Sequence, residues 1–146
     1  MDLSDTDTSP EATSTHGWAR RAVKAAQSAA ETAGRQVSVA IVDREGHDLL
    51  VVRGPGAPWF TPGVARAKAR TCAVLRIPSA GLSGLNAHPG LLDQIDDQLP
   101  FRLTQLPGGL PITVHGETVG AIGVSGADPD DDVAYAQAGV NANAEP

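Results

Sequence analysis

Large aromatic side chains are almost absent from this sequence, and this limits the kind of core that it can build. Of 146 residues only two are Trp, two are Phe and one is Tyr, although 41% are hydrophobic. Ala, Val, Ile and Leu must therefore fill the interior, and side chains this small require helices and strands to approach closely. The length favours one domain, since 146 residues can bury one substantial core but not two ordinary ones.

The charge balance and the single cysteine exclude several classes of protein. Seventeen acidic residues against 11 basic ones give a net charge of −6, which argues against binding to nucleic acid or to an anionic membrane. One cysteine excludes an intramolecular disulfide framework and a thiolate zinc site. No apolar run approaches the roughly 20 residues of a membrane span.

The first 16 residues differ in composition from the rest of the chain. Residues 1–16 are polar and acidic, which predicts a disordered tail in front of a folded domain over 17–146. This segment lacks the basic start and apolar middle of a signal peptide, so we expect a cytoplasmic protein.

Hydrophobic periodicity predicts helices towards both ends of the chain. Alanines at helical spacing indicate a helix over 18–33, and a second one begins at Thr61, where a proline follows a capping residue. A short helix is expected near 89–96 and a last one over 129–142.

Between these helices lie runs that are typical of β-strands. A short turn with glycine separates residues 37–43 from 48–53, and a second such turn separates 110–115 from 118–124. This pattern predicts two hairpins. Residues 101–106 are predicted as a fifth strand. Hairpins imply an antiparallel sheet, and the flanking helices can cover it, so the expected fold class is α+β.

Two glycine-rich segments admit both a structural and a functional interpretation. Gly108 and Gly109 lie between two prolines. The segment 120–126 contains five residues that are glycine or another small residue. Each segment either packs closely or lets a ligand approach the backbone. A dinucleotide-binding fold is excluded because 127–146 is too short for the rest of its motif, and a nucleophile elbow would need glycine at Ala127.

The second helix carries the remaining chemical candidates. Arg66 and Arg70 are four residues apart and share a face, which is either solvated or able to bind carboxylates. Cys72 lies among Ala and Val, which favours a buried and inert thiol. The histidines form no metal-binding pair, and spacing alone places no acid–base pair and no metal ligands.

Three ordered motifs give the chain a family resemblance over about residues 18–142. They are the stretch formed by 108–112 and 115–126, the strand 37–43 followed by Gly46-His47, and the helix segment Ala67-Lys68-Ala69-Arg70-Thr71. In these motifs the sequence resembles the GlcG/HbpS-like family, also called haem-degrading, haem-binding or DUF336 domains. The same domain forms the C-terminal part of PduO-type cobalamin adenosyltransferases.

The resemblance implies a profilin-like α/β/α domain with a five-stranded antiparallel sheet. It also implies self-association as a dimer or an octamer, and haem or corrinoid-related ligands. Some members bind haem through a histidine in the first helix, which has none here, and His16 stands just before it.

The leading hypothesis from the sequence is a small-ligand-binding protein, with haem or another tetrapyrrole favoured and the site between subunits. Arg53, Lys68 or Arg70 would pair with propionates. Trp59 and Phe60 either line the pocket or form an oligomer contact. The other predicted site residues come from the two glycine-rich segments and the strands beside them: Gly108, Gly109, Pro111, His115, Gly123, Ser125 and Gly126.

Two further classes of function remain open from the sequence. One is a cofactor-independent enzyme that acts on a small organic acid or a biosynthetic intermediate, with Ser125, His115 or Lys68 moving protons. The other is a structural or regulatory oligomer. Whether the protein is an enzyme is left open, and neither catalytic residues nor metal ligands are assigned.

Overall fold

The computed structural model of the chain describes residues 16–144. Of the predicted acidic tail over 1–16, only His16 lies within the described residues. The helices are α1 (Gly17–Thr32), α2 (Thr61–Leu75), α3 (Leu91–Asp96) and α4 (Pro129–Asn141), and a 3₁₀ segment spans Ser79–Ala87. None of the helices between residues 16 and 144 combines the length and hydropathy needed to cross a membrane.

Both predicted hairpins form, and together they build one antiparallel sheet. The strands are β1 (Ser38–Asp43), β2 (Asp48–Arg53), β3 (Gly109–Val114) and β4 (Glu117–Ser125), in the spatial order β2-β1-β4-β3. The hairpin turns contain Gly46 and Gly116, which both adopt a positive φ that glycine tolerates easily. The mixed α+β class with an antiparallel sheet is therefore confirmed.

The prediction of five strands is wrong, because the sheet of the described chain has four. Residues 101–106 have no strand partner, and side chains satisfy part of their backbone instead. Leu103 N–H donates to Asp96 Oδ1 at 2.8 Å, and Thr104 N–H donates to Thr71 Oγ1 at 2.9 Å. A backbone held by scattered side chains needs no strand partner to stay satisfied.

The sheet separates two hydrophobic clusters. On one face, Val39 and Ile41 of β1 pack with α1 and α4, while on the other face Ala40 and Val42 pack with α2. Successive residues of a strand point to opposite faces, so β1 serves both clusters. Tyr135 is the only aromatic side chain buried in the core of residues 16–144, which confirms the expected aliphatic interior.

Candidate functional site

Lys68 of α2 extends past the start of β3 to reach the helix on the opposite face of the sheet. Its Nζ donates to the carbonyl oxygen of Val124 at 2.7 Å and to Asp132 Oδ2 on α4 at 3.1 Å. The Lys68 and Asp132 side chains are only 4% and 3% exposed. Since α2 and α4 cover opposite faces, this buried ion pair links the two helical layers.

Burial disfavours the charged form of both members of this pair. It lowers the pKa of Lys68 and raises the pKa of Asp132, while their mutual attraction opposes both shifts. Asp132 Oδ1 also accepts from Ala127 N–H at 3.0 Å, so both carboxylate oxygens are bonded. The ammonium group of Lys68 is thus engaged inside the protein and is not presented at its surface.

Gly108 and Gly109 make room for this lysine. A Cβ on Gly108 would lie 3.0 Å from Lys68 Nζ and 2.7 Å from the Val124 carbonyl oxygen, and one on Gly109 would overlap the Lys68 carbonyl. Gly109 N–H donates to Ser79 Oγ at 2.9 Å, and Ser79 Oγ donates to the Leu106 carbonyl at 2.6 Å. The contacts therefore support the packing interpretation of this segment.

The glycines of the second segment are also used for packing. A Cβ on Gly123 would overlap the Ala65 carbonyl of α2, and one on Gly126 would lie 2.9 Å from the Gln36 carbonyl oxygen. Ser125 is 6% exposed and pairs with Ser38 across β1 and β4. Pro111 is half-buried on β3, opposite Ala121.

Arg66 and Arg70 do share a face of α2, and both contact one carboxylate. Arg66 Nε lies 2.9 Å from Asp48 Oδ2, and Arg70 Nη2 lies 3.5 Å from Asp48 Oδ1. Arg70 Nε also donates to the Gly46 carbonyl at 3.2 Å, and its guanidinium lies 4.8 Å from the centre of the Phe101 ring. Asp48 thus neutralises part of the charge that the sequence assigns to this helix.

Trp59 and Phe60 protrude from the loop over 54–60 that connects β2 to α2. Trp59 is 81% exposed and Phe60 is 52% exposed, and their rings meet edge to face with centres 6.0 Å apart. Thr61 anchors the end of the loop, because its hydroxyl donates to the Pro58 carbonyl at 2.7 Å and contacts the Ser38 hydroxyl at 2.8 Å.

Arg53 ends β2 just before this loop. It is exposed, and within residues 16–144 its guanidinium forms no ion pair or hydrogen bond. We call Arg53, Trp59 and Phe60 the aromatic surface. It combines an exposed cation with exposed aromatic rings in a chain that has few aromatic residues.

The three residues predicted for proton transfer do not form one site within this chain. His115 is exposed in the β3–β4 turn with φ 51°, whereas Ser125 ends β4 at the far side of the sheet. Lys68 is buried against Asp132.

Cys72 is buried, as the sequence interpretation expects. Burial raises the pKa of the Cys72 thiol to about 12, as expected for an inert thiol in an apolar environment. In the part of the chain that the structure describes, no group of three His, Cys, Asp or Glu side chains converges as a metal site.

Sequence reasoning missed Asp132, Asp48 and Ser79. Asp132 belongs to an acidic run that helix capping already explains, and it lies 64 residues from Lys68. The available signal was the position of Lys68, because a lysine among the alanines of a buried helix face needs a partner.

Comparisons with known proteins agree with this fold. The family model described as haem degrading protein HbpS-like matches residues 15–141. Protein GlcG of Escherichia coli K12 is similar, with 32% identity over 103 residues that cover 70% of this chain and 74% of GlcG.

Two solved structures superpose on nearly the whole domain. A crystal structure of a double mutant of HbpS from Streptomyces reticuli has a TM-score of 0.78 and 36% identity, covering 99% of this chain and 94% of that one. The crystal structure of a PduOC:Heme complex has a TM-score of 0.76 and 27% identity, covering 88% and 93%. With a family match across almost every described element, the chain belongs to the HbpS-like family.

Proposed function

We propose that this protein binds haem and that the aromatic surface forms one wall of the site. The family match and the similarity to PduOC, whose structure is described as a complex with haem, support the choice of ligand. Haem is a flat apolar ring with two carboxylates at one edge. Aromatic side chains beside an arginine suit such a ligand.

The observation that carries this proposal is the exposure of Trp59 and Phe60. Their exposed fractions of 81% and 52% are costly for large apolar side chains unless something covers them in the working protein. The loop that presents them contains Pro55 and Pro58 and is anchored through Thr61, so the backbone that carries the rings is restrained before a ligand arrives.

Arg53 is the cation that we assign to the propionates. Of the three candidates, Lys68 is buried against Asp132, and Arg70 contacts Asp48, Gly46 and Phe101. Arg53 directly precedes the aromatic loop, and its guanidinium has no partner within residues 16–144. A charge-assisted hydrogen bond to a carboxylate is among the stronger polar contacts.

A second copy of the chain would complete the site. A flat ligand laid on Trp59 alone would leave its other face in water, because this residue protrudes from the domain. The same surface on a neighbouring subunit supplies a second wall, and two-fold pairing is the commonest way for identical chains to associate. In this arrangement the glycine segments act indirectly, by fixing α2 against the sheet.

Hemin titration of the haem-free protein and its variants tests this assignment. Replacing both rings (Trp59→Ala with Phe60→Ala) should weaken hemin binding by at least about tenfold, because buried aromatic anchors dominate such sites. Arg53→Gln should weaken it less, since only one carboxylate contact is lost.

The matched controls are Leu106→Ala, which removes another exposed apolar side chain, and Arg20→Gln, which removes an exposed arginine of α1. Neither control should change the affinity. If the double aromatic variant binds hemin as the wild type does, the haem site lies elsewhere.

A further inference from the structure

A separate cleft opens at the end of the sheet where both hairpins turn. Its volume is about 320 Å³, and it is lined by Arg44, Arg76, Glu117 and Thr118. The register of β1 places Ser38 beside Arg53 and Asp43 beside Gly120, so this cleft and the aromatic surface lie at opposite ends of the strand. We call it the turn cleft.

Both arginines of the turn cleft lack an ion-pair partner among residues 16–144. Arg44 comes from the β1–β2 turn and Arg76 follows the last residue of α2, and both are exposed. Across residues 16–144 neither guanidinium forms an ion pair or a hydrogen bond, in contrast to Arg66 and Arg70, which contact Asp48. Two arginines that line one open cleft favour the binding of an anion there.

The backbone of Arg76 is unusual for an arginine. Its φ is 61° and its N–H donates to the Cys72 carbonyl at 2.8 Å, which is the left-handed conformation that commonly ends a helix. Glycine adopts this conformation at little cost, whereas an L side chain is strained there. The backbone conformation alone would thus favour glycine at this position. Arginine differs from glycine in that its side chain lines the turn cleft.

An irregularity in β4 places Thr118 on the cleft. Ile112 pairs with Gly120 and Thr113 pairs with Thr118, so Val119 is left without a partner on β3. Val119 packs towards the α1 cluster, while Thr118 lines the cleft and brings a hydroxyl to it. Bulges of this kind redirect side chains at the ends of sheets and beside binding sites.

Glu117 gives the turn cleft a mixed charge. Two guanidinium groups attract a carboxylate, and the Glu117 carboxylate attracts an ammonium group or another strong donor while repelling a second negative charge. We propose that the turn cleft binds a small zwitterion that carries a carboxylate and an ammonium group, the class of which free amino acids are the simplest members. The ligand carboxylate faces Arg44 and Arg76, and its ammonium group faces Glu117.

Binding is measured by NMR titration of the full-length, haem-free protein with alanine, propionate and inorganic phosphate. Propionate matches alanine except for the ammonium group. Alanine should give saturable shifts at the amides of Arg44, Arg76 and Thr118, and it should bind at least about tenfold more tightly than propionate or phosphate, since hydrogen bonds to charged groups are strong. Absence of saturable shifts, or equal binding of all three compounds, would overturn the proposal.

Arg76→Gly separates binding from folding. The glycine suits the left-handed backbone, so the melting temperature should be unchanged or higher while alanine binding is lost. Glu117→Gln should remove the preference of alanine over propionate. Arg53→Gln is the control at the other end of the sheet and should leave alanine binding unchanged.

Hemin distinguishes this site from the proposed haem site. Arg76→Gly should bind hemin as the wild type does, because the two sites are separate. If Arg76→Gly keeps its alanine binding, or if it loses hemin binding together with alanine binding, the inference of a separate zwitterion site is wrong.

Discussion

At the residue scale, the Lys68–Asp132 pair is the most consequential contact that spans the fold. A buried charge left without its partner is strongly destabilising, typically by about 3–5 kcal/mol. We therefore expect Lys68→Met to lower the free energy of unfolding by about that amount, because the Asp132 carboxylate would remain buried alone. Urea denaturation measures the change.

The double variant Lys68→Met with Asp132→Leu provides the control for this prediction. It removes both charges, so it should be more stable than Lys68→Met alone. A double variant that is less stable than either single one would show that the ion pair is not the source of the effect.

The thiol of Cys72 makes the stability of the folded protein depend on pH, and its raised pKa sets the direction of that change. Its pKa is raised from 9.0 to about 12 in the folded chain, so between these values the folded state holds a proton that the unfolded state loses. The thiol contribution to stability is fully present below pH 9 and is lost as pH rises, by about 1.4 kcal/mol at pH 10.

The measurement compares the wild type with Cys72→Ala in urea at pH 8 and pH 10. The stability advantage of the wild type should shrink by about 1.4 kcal/mol between the two pH values. An advantage that stays constant would mean that the thiol ionises as easily in the folded protein as in the unfolded chain.

At the scale of elements, the close contact between α2 and β4 depends on Gly123, the position where β4 has no side chain. A Cβ on Gly123 would overlap the Ala65 carbonyl, which belongs to helix backbone and cannot move cheaply. Gly123→Ala should destabilise the protein by about 1–3 kcal/mol, the usual range for overpacking. Gly63→Ala in α2 is the control, since nothing lies within 4 Å of the added Cβ. It should be neutral or slightly stabilising.

Elements whose signals are local were predicted well, and those with distant partners were not. The hairpins follow from short turns at Gly46 and Gly116, and the helix over 61–75 follows from its proline and alanines. The prediction of a strand over 101–106 fails because the backbone of this segment bonds to the side chains of Thr71 and Asp96 and not to a neighbouring strand. Sequence spacing does not reveal these two partners.

In the candidate site too, local features could be predicted from the sequence, whereas contacts between distant residues could not. Trp59 and Phe60 belong to a loop rich in proline and glycine, and loops lie at the surface, so their exposure could be anticipated from the sequence. The partner of Lys68 could not be anticipated, because Asp132 belongs to a helix that packs on the other face of the sheet. Asp48 likewise becomes a partner of Arg66 and Arg70 only when β2 lies beside α2.

At the scale of the whole molecule, the proposed site would link ligand binding to self-association. If a second copy covers Trp59 and Phe60, the double alanine variant should form smaller assemblies than the wild type at equal concentration. Light scattering coupled to size-exclusion chromatography measures the mass. Leu106→Ala should leave the mass unchanged, and an aromatic variant with wild-type mass would contradict a shared site.

The most direct test of haem binding is a titration of the full-length, haem-free wild type with hemin, followed in the Soret region. Binding predicts a shifted Soret band that grows to saturation at a fixed ratio of hemin to protein chains. A spectrum that equals the sum of free hemin and protein at every ratio would contradict the proposal that this protein binds haem.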